Sequence, residues 1–124
     1  MDTTALVDID IALGKRVTEE LDASGIPVKA SLWFYTPEAS EWRLIVATPL
    51  VDQEGPHKTY ALIQKALRTI DFPLRKISAV SPGDPLIKLL RVALRTGPGI
   101  AGVRFTHNTI NNVFIEDAYI YRLA

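Results

Sequence analysis

Cysteine is absent from this chain of 124 residues. Its absence excludes disulfides, thiolate metal ligands and a thiol nucleophile, and fits a reducing compartment. No uninterrupted apolar run approaches the roughly 20 residues that a bilayer span requires. Residues 1–17 carry acids ahead of their apolar residues and show no basic leader or small-residue cleavage site. The expectation is a soluble cytoplasmic protein with no membrane contact. Also missing are a G-x-G-x-x-G turn, a lysine-containing phosphate loop and a G-x-S-x-G nucleophile turn. None of Ser24, Ser31, Ser40, Ser78 and Ser81 has the setting of a nucleophile. Without these motifs the chain calls for no cofactor and assigns no catalytic residue.

Net charge is zero, yet the charges are segregated. Residues 1–62 hold ten acids against five bases. The remainder holds four acids against Lys65, Arg68, Arg75, Lys76, Lys88, Arg91, Arg95, Arg104 and Arg122. If these nine bases shared a face, they would attract an anionic partner, a phosphate backbone or the acidic half of a second copy.

Residues 28–50 form the stretch around which the rest is organised. Both tryptophans lie there, and the turn formers at 36–40 separate two apolar runs, the pattern of a β-hairpin. Val28, Ala30, Leu32 and Phe34 point one way on the first arm, and Trp42, Leu44, Val46 and Thr48 share a face of the second. Trp33 and Tyr35 alternate with the first set. They form an exposed aromatic strip suited to an interface, or a second core face if helices cover both sides of the sheet.

Residues 4–22 read as a helix, with Leu6, Ile9, Leu13, Val17 and Leu21 as its apolar stripe and Thr3 or Thr4 as its cap. Asp8 and Asp10 favour its positive end. Gly14 costs about 1 kcal/mol against alanine, which marks close packing on the hairpin. Gly25 and Pro27 stop the helix. A loop at 51–56 prepares a second helix over 57–70, in which Tyr60, Ile63, Leu67 and Ile70 share a face and Pro56 suits the start. A short strand over 75–80 follows. Asp84 and Pro85 then make the clearest helix start in the chain, for a helix that Leu86, Leu89, Leu90, Ala93 and Leu94 anchor until Gly97 and Gly99 end it. Strands over 100–105 and 113–121 enclose a polar loop at 106–112 and form a second hairpin.

The order αββαβαββ, with no repeat or long linker, predicts a single α+β domain over residues 1–124. Its mixed sheet has about five strands and three helices. The aromatic, β-branched hairpin arms are expected to offer an edge that pairs with a second copy.

Four features bear on chemistry. Asp52 and Glu54 are two hard oxygen ligands in a predicted loop, the weak metal candidates of a phosphodiester hydrolase, although no acid-x-lysine triplet accompanies them. Glu116 and Asp117 are adjacent on a predicted strand, so alternation would send them to opposite faces. His57 and His107 stand at a helix start and in a polar loop, as lone histidines. Ser81 to Pro85 resembles a phosphate cradle by position, but its two prolines lack amide donors and Asp84 repels anions, so capping explains it better.

The best binding surface is the second hairpin, with Arg104, His107, Asn108, Asn111 and Asn112, joined to Arg75, Lys76, Lys88, Arg91 and Arg95. Asn111 and Asn112 also suit the left-handed conformations of a tight turn. The leading expectation is a small binding or accessory module that self-associates or takes a protein partner. A metal-dependent hydrolase and a nucleic-acid module are the less favoured alternatives.

Overall fold

The computed structural model describes residues 6–124. Among these, the chain runs α1 (Asp8–Ala23), β1 (Ala30–Thr36), β2 (Glu41–Ala47), α2 (Leu50–Glu54), α3 (Pro56–Ala66), a 3₁₀ turn (Leu74–Lys76), β3 (Ile77–Val80), α4 (Pro85–Ala93), β4 (Val103–Ile110) and β5 (Val113–Leu123). The strands form one mixed sheet in the order β3-β2-β1-β5-β4. Three neighbouring pairs are antiparallel, and β2 and β3 are parallel, as a helical crossover allows. This is the predicted α+β class, with one helix more than predicted. The extra helix, α2, occupies the expected loop at 51–56, and α3 ends at Ala66, leaving Leu67 and Ile70 buried in the turns that follow it.

Both faces of the sheet are covered. On one, α1 and α3 pack Val17, Leu21 and Ile63 against Trp33, Leu44, Val46 and Tyr121. On the other, α4 packs Ile87 and Leu90 against Ala30, Leu32, Ile45, Ala47 and Ile120. Trp33 sits opposite Leu44, and Leu32 opposite Ile45. Ala30, Leu32 and Phe34 of the first apolar set therefore serve the core opposite that of Trp42, Leu44 and Val46, whereas Val28, which precedes β1, joins the latter. Trp33 and Tyr35 are 2% and 7% exposed, so they are core residues and not an interface strip.

Helix α1 starts at Asp8, where the Asp10 carboxylate accepts the Val7 amide at 3.5 Å. The caps expected at Thr3 or Thr4 lie outside the described residues. Ile9 is 68% exposed and leaves the predicted stripe, of which Leu6, Val17 and Leu21 are buried and Leu13 half-buried; Gly14 and Thr18, outside that stripe, are buried on the same helix. Each four-residue step turns the helix by about 40° beyond a full circle. Three such steps from Leu21 back to Ile9 rotate the side chain off the face.

Gly14 is where α1 touches the sheet. Trp33 Nε1 donates to the Asp10 carbonyl at 3.1 Å and Tyr121 Oη to the Ile11 carbonyl at 2.6 Å, one turn before Gly14. Tyr121 and its neighbour Arg122 both reach the α1 side. The register between β1 and β5 slips between Ser31 and Leu32, which inserts one extra residue on β5 and suspends alternation there.

Burial pushes the Tyr121 phenol above its ordinary value. A group with a raised folded value stabilises the fold fully below its unfolded value and loses that contribution as pH rises beyond it. Thermal stability should therefore fall above about pH 10. In Tyr121→Phe the fall should be shallower, at a cost of about 1 kcal/mol at neutral pH for the lost hydrogen bond. Melting curves across that range check both; identical alkaline slopes for the two proteins would refute the assignment.

Candidate functional site

The second hairpin forms by the chemistry its sequence implies, over a longer span than expected. Asn111 and Asn112 adopt φ of 48° and 67°, the paired left-handed residues of a two-residue turn. The expected polar loop shrinks to those two residues, because Thr106 to Ile110 continue β4. His107 interrupts the strand with φ of 49°, and no bridge joins it to Glu116 although the register on either side is unchanged. This kink carries Ile110 and Ile115 into the α4 core.

The kink also overturns the expectation for the adjacent acids. Glu116 and Asp117 line one shallow cleft of about 190 Å³ together with Tyr35 and His107. Alternation fails where the strand pair breaks. Asp117 is held there by Arg104, whose Nε and Nη2 donate to its two carboxylate oxygens at 2.7 and 2.6 Å. Those bonds raise the Arg104 guanidinium above its ordinary value. Arg104 also lies 5.8 Å from the centre of the Trp42 ring, which tilts against Tyr35 at 5.4 Å. With Asp117 bound in this way and the cleft smaller than the ~300 Å³ of a typical small-molecule site, the arrangement offers no enclosed acid-base centre.

The expected basic surface does not assemble. Arg75 and Lys76 precede β3, at one edge of the sheet; Arg104 starts from β4, at the other, and only its guanidinium reaches across to the Trp42 ring beside them. Lys88 and Arg91 ride on α4, which covers the face opposite α1. Arg91 is spent on the carbonyls of Pro82 and Ala124 at 3.1 and 2.9 Å. Arg95 follows the end of α4, and Arg122 is buried. The Asn108 side chain donates to the Thr106 carbonyl at 2.8 Å, and Asn111 and Asn112 are turn residues. His107 stacks edge-on with exposed Phe114 at 6.1 Å.

Asp52 and Glu54 stand two apart on α2 and so do not face each other. Asp52 accepts Ser81 Oγ at 2.7 Å, and Glu54 pairs with Lys58 at 3.1 Å. Among the described residues no three His, Cys, Asp or Glu side chains converge as metal ligands. Ser81 to Pro85 caps, as expected: Asp84 Oδ1 accepts the Leu86 amide at 3.0 Å.

Two features escaped sequence reasoning. One is the end of the sheet near the first turn, where Arg75 and Lys76 meet both tryptophans around a cleft of about 370 Å³. The other is the contrast between the two edges. At β3 the Ala79 amide donates to Tyr60 Oη at 2.8 Å, and Arg43 reaches the carbonyls of Arg75 and Ile77. At β4 no described residue pairs with the outer side of the strand. The first hairpin, expected to be an edge, lies in the middle of the sheet. No helix among the described residues is long and apolar enough to cross a membrane. No family model matches the chain, and no curated protein or solved structure matches it.

Proposed function

We propose that the protein is a cytoplasmic binding module that works as a homodimer, the outer edge of β4 pairing with β4 of a second copy. The observation that carries this reading is the asymmetry of the sheet. The edge at β3 is four residues long and engaged by Tyr60 and Arg43, while β4 runs for eight residues with an open outer side among the described residues. An open strand edge is a template for another strand. Identical edges pair about a two-fold axis, the commonest symmetry of soluble oligomers. Val113 and Phe114, 47% and 59% exposed at the tip of the same hairpin, add apolar surface beside that edge. Arg104 and Asp117 neutralise one another next to it, so association draws little on net charge.

Size exclusion with light scattering, at low and high salt, tests the proposal. The expected result is a dimer at both salts. Thr106→Pro places a residue without an amide donor on β4 and so disrupts its ladder. It should weaken dimerisation at least tenfold. A wild-type monomer at high protein concentration, or a Thr106→Pro variant that dimerises equally well, would overturn the proposal.

A further inference from the structure

The cleft at the end of the sheet has the features of a ligand site, independently of any dimer. Its volume of about 370 Å³ falls in the range of small-molecule sites. Both tryptophans of the chain line it, with Asp10, Arg43, Arg75 and Lys76 around them. Aromatic walls beside cations are the means by which proteins hold a flat ring that carries an anionic group.

The charges fall into two roles. Arg43 is fixed, since it bonds Ser78 Oγ at 2.7 Å, pairs with Glu41 at 3.3 Å and donates to the Arg75 carbonyl at 3.0 Å. It thereby anchors the 3₁₀ turn that carries Arg75 and Lys76. Those two side chains are exposed and pair with no carboxylate among the described residues. They are cations in waiting, on a short turn that is already anchored. Among the described residues lining the cleft, where Glu41 pairs with Arg43, Asp10 in the first turn of α1 is the carboxylate not paired with a cation. It repels a second anionic group and accepts from an amine.

We propose that this cleft binds a purine nucleoside monophosphate of the amino-bearing kind. The base packs against the half-buried Trp42 ring alongside Arg104, its exocyclic amine donates to Asp10, and its phosphate meets Arg75 and Lys76. A bare phosphate lacks the stacking, and a nucleoside lacks the anion, so neither alone satisfies the site.

Because both tryptophans line the cleft, intrinsic tryptophan fluorescence reports on it directly. The titrants are AMP, IMP, adenosine and inorganic phosphate. AMP should quench emission saturably. IMP, which carries a carbonyl in place of the amine, adenosine and phosphate should each bind at least fivefold more weakly. In the double variant Arg75→Ala/Lys76→Ala the AMP affinity should fall at least tenfold. Neither side chain bonds to another of the described residues, so its circular dichroism and melting midpoint should match the wild type. Absence of saturable quenching by AMP, equal affinity for AMP and adenosine, or full affinity in the folded double variant would overturn the proposal.

Discussion

Arg122→Ala should lower folding stability by about 3–5 kcal/mol, the range for removing one partner from a buried ion pair. Urea denaturation near neutral pH measures it. The Arg122 side chain is 7% exposed and fully engaged. Its Nη1 and Nη2 donate to the two Asp22 oxygens at 2.9 and 2.7 Å, its Nη1 also to the Val28 carbonyl at 3.1 Å, and its Nε to the Gly99 carbonyl at 3.1 Å. These bonds raise the guanidinium above its ordinary value. The residue ties the last strand to the end of α1 and to the loops on either side. Alanine leaves two carbonyls and a carboxylate without their donor, and the buried Val28 carbonyl has no water to replace it. The Asp22 side chain is 38% exposed, so Asp22→Asn should cost less, about 1–2 kcal/mol. Equal losses for the two variants, or a loss below about 1 kcal/mol for Arg122→Ala, would show that the pair contributes no more than a surface ion pair.

Gly14→Ala tests the packing of α1 and reverses the sign that helix propensity predicts. In an open helix the substitution stabilises by about 1 kcal/mol. Here a Cβ would fall 2.6 Å from Trp33 Nε1 and closer still to the Tyr121 hydroxyl. Those atoms end rigid, buried rings, and each already donates to a carbonyl of α1. One ring must move, with overpacking of about 1–3 kcal/mol and the loss of a hydrogen bond worth about 1 kcal/mol. The expected net is a destabilisation of about 2 kcal/mol, or a melting point lower by roughly 8 °C. Tyr121→Phe removes the nearest clashing atom. The double variant should therefore lose less than the sum of the single losses, which a double-mutant cycle measures. A stabilised Gly14→Ala protein would mean that α1 does not lie this close to the sheet.

The local chemistry of the chain was legible, and its long-range pairing was not. Asp84 with Pro85, Gly25 before Pro27, and Asn111 with Asn112 act through backbone preferences that neighbouring residues satisfy. Gly14 was legible too, as a cost that only close packing offsets. The strand order was not, because β1 pairs with β5 some ninety residues away, and nothing within either strand names its partner. That pairing places the first hairpin inside the sheet and leaves β4 as the open edge. The site suffered most where strands deviate from alternation. Glu116 and Asp117 meet in one cleft because β4 kinks at His107, and a histidine with positive φ announces nothing in sequence. Arg122 left a faint trace, as the single charge within the otherwise apolar run from Ala118 to Leu123, where burial demands a partner. The cleft beside Trp42 draws on α1, β1, β2 and the turn before β3, four segments that only the folded chain brings together.

The position of β5 between β1 and β4 has a consequence during synthesis. A chain that emerges from its N-terminus completes β1, β2 and β3 well before β5 exists. During that interval β1 is an edge, and its seven residues, ASLWFYT, carry no charge and no proline. Short uncharged segments rich in aromatic and apolar residues are those that stack between chains. Lys29 and Glu38 flank the segment as its nearest charges. The strand buried most centrally in the finished protein is thus the one most open to misassembly in the nascent one, and the speed with which β5 inserts sets how long that exposure lasts.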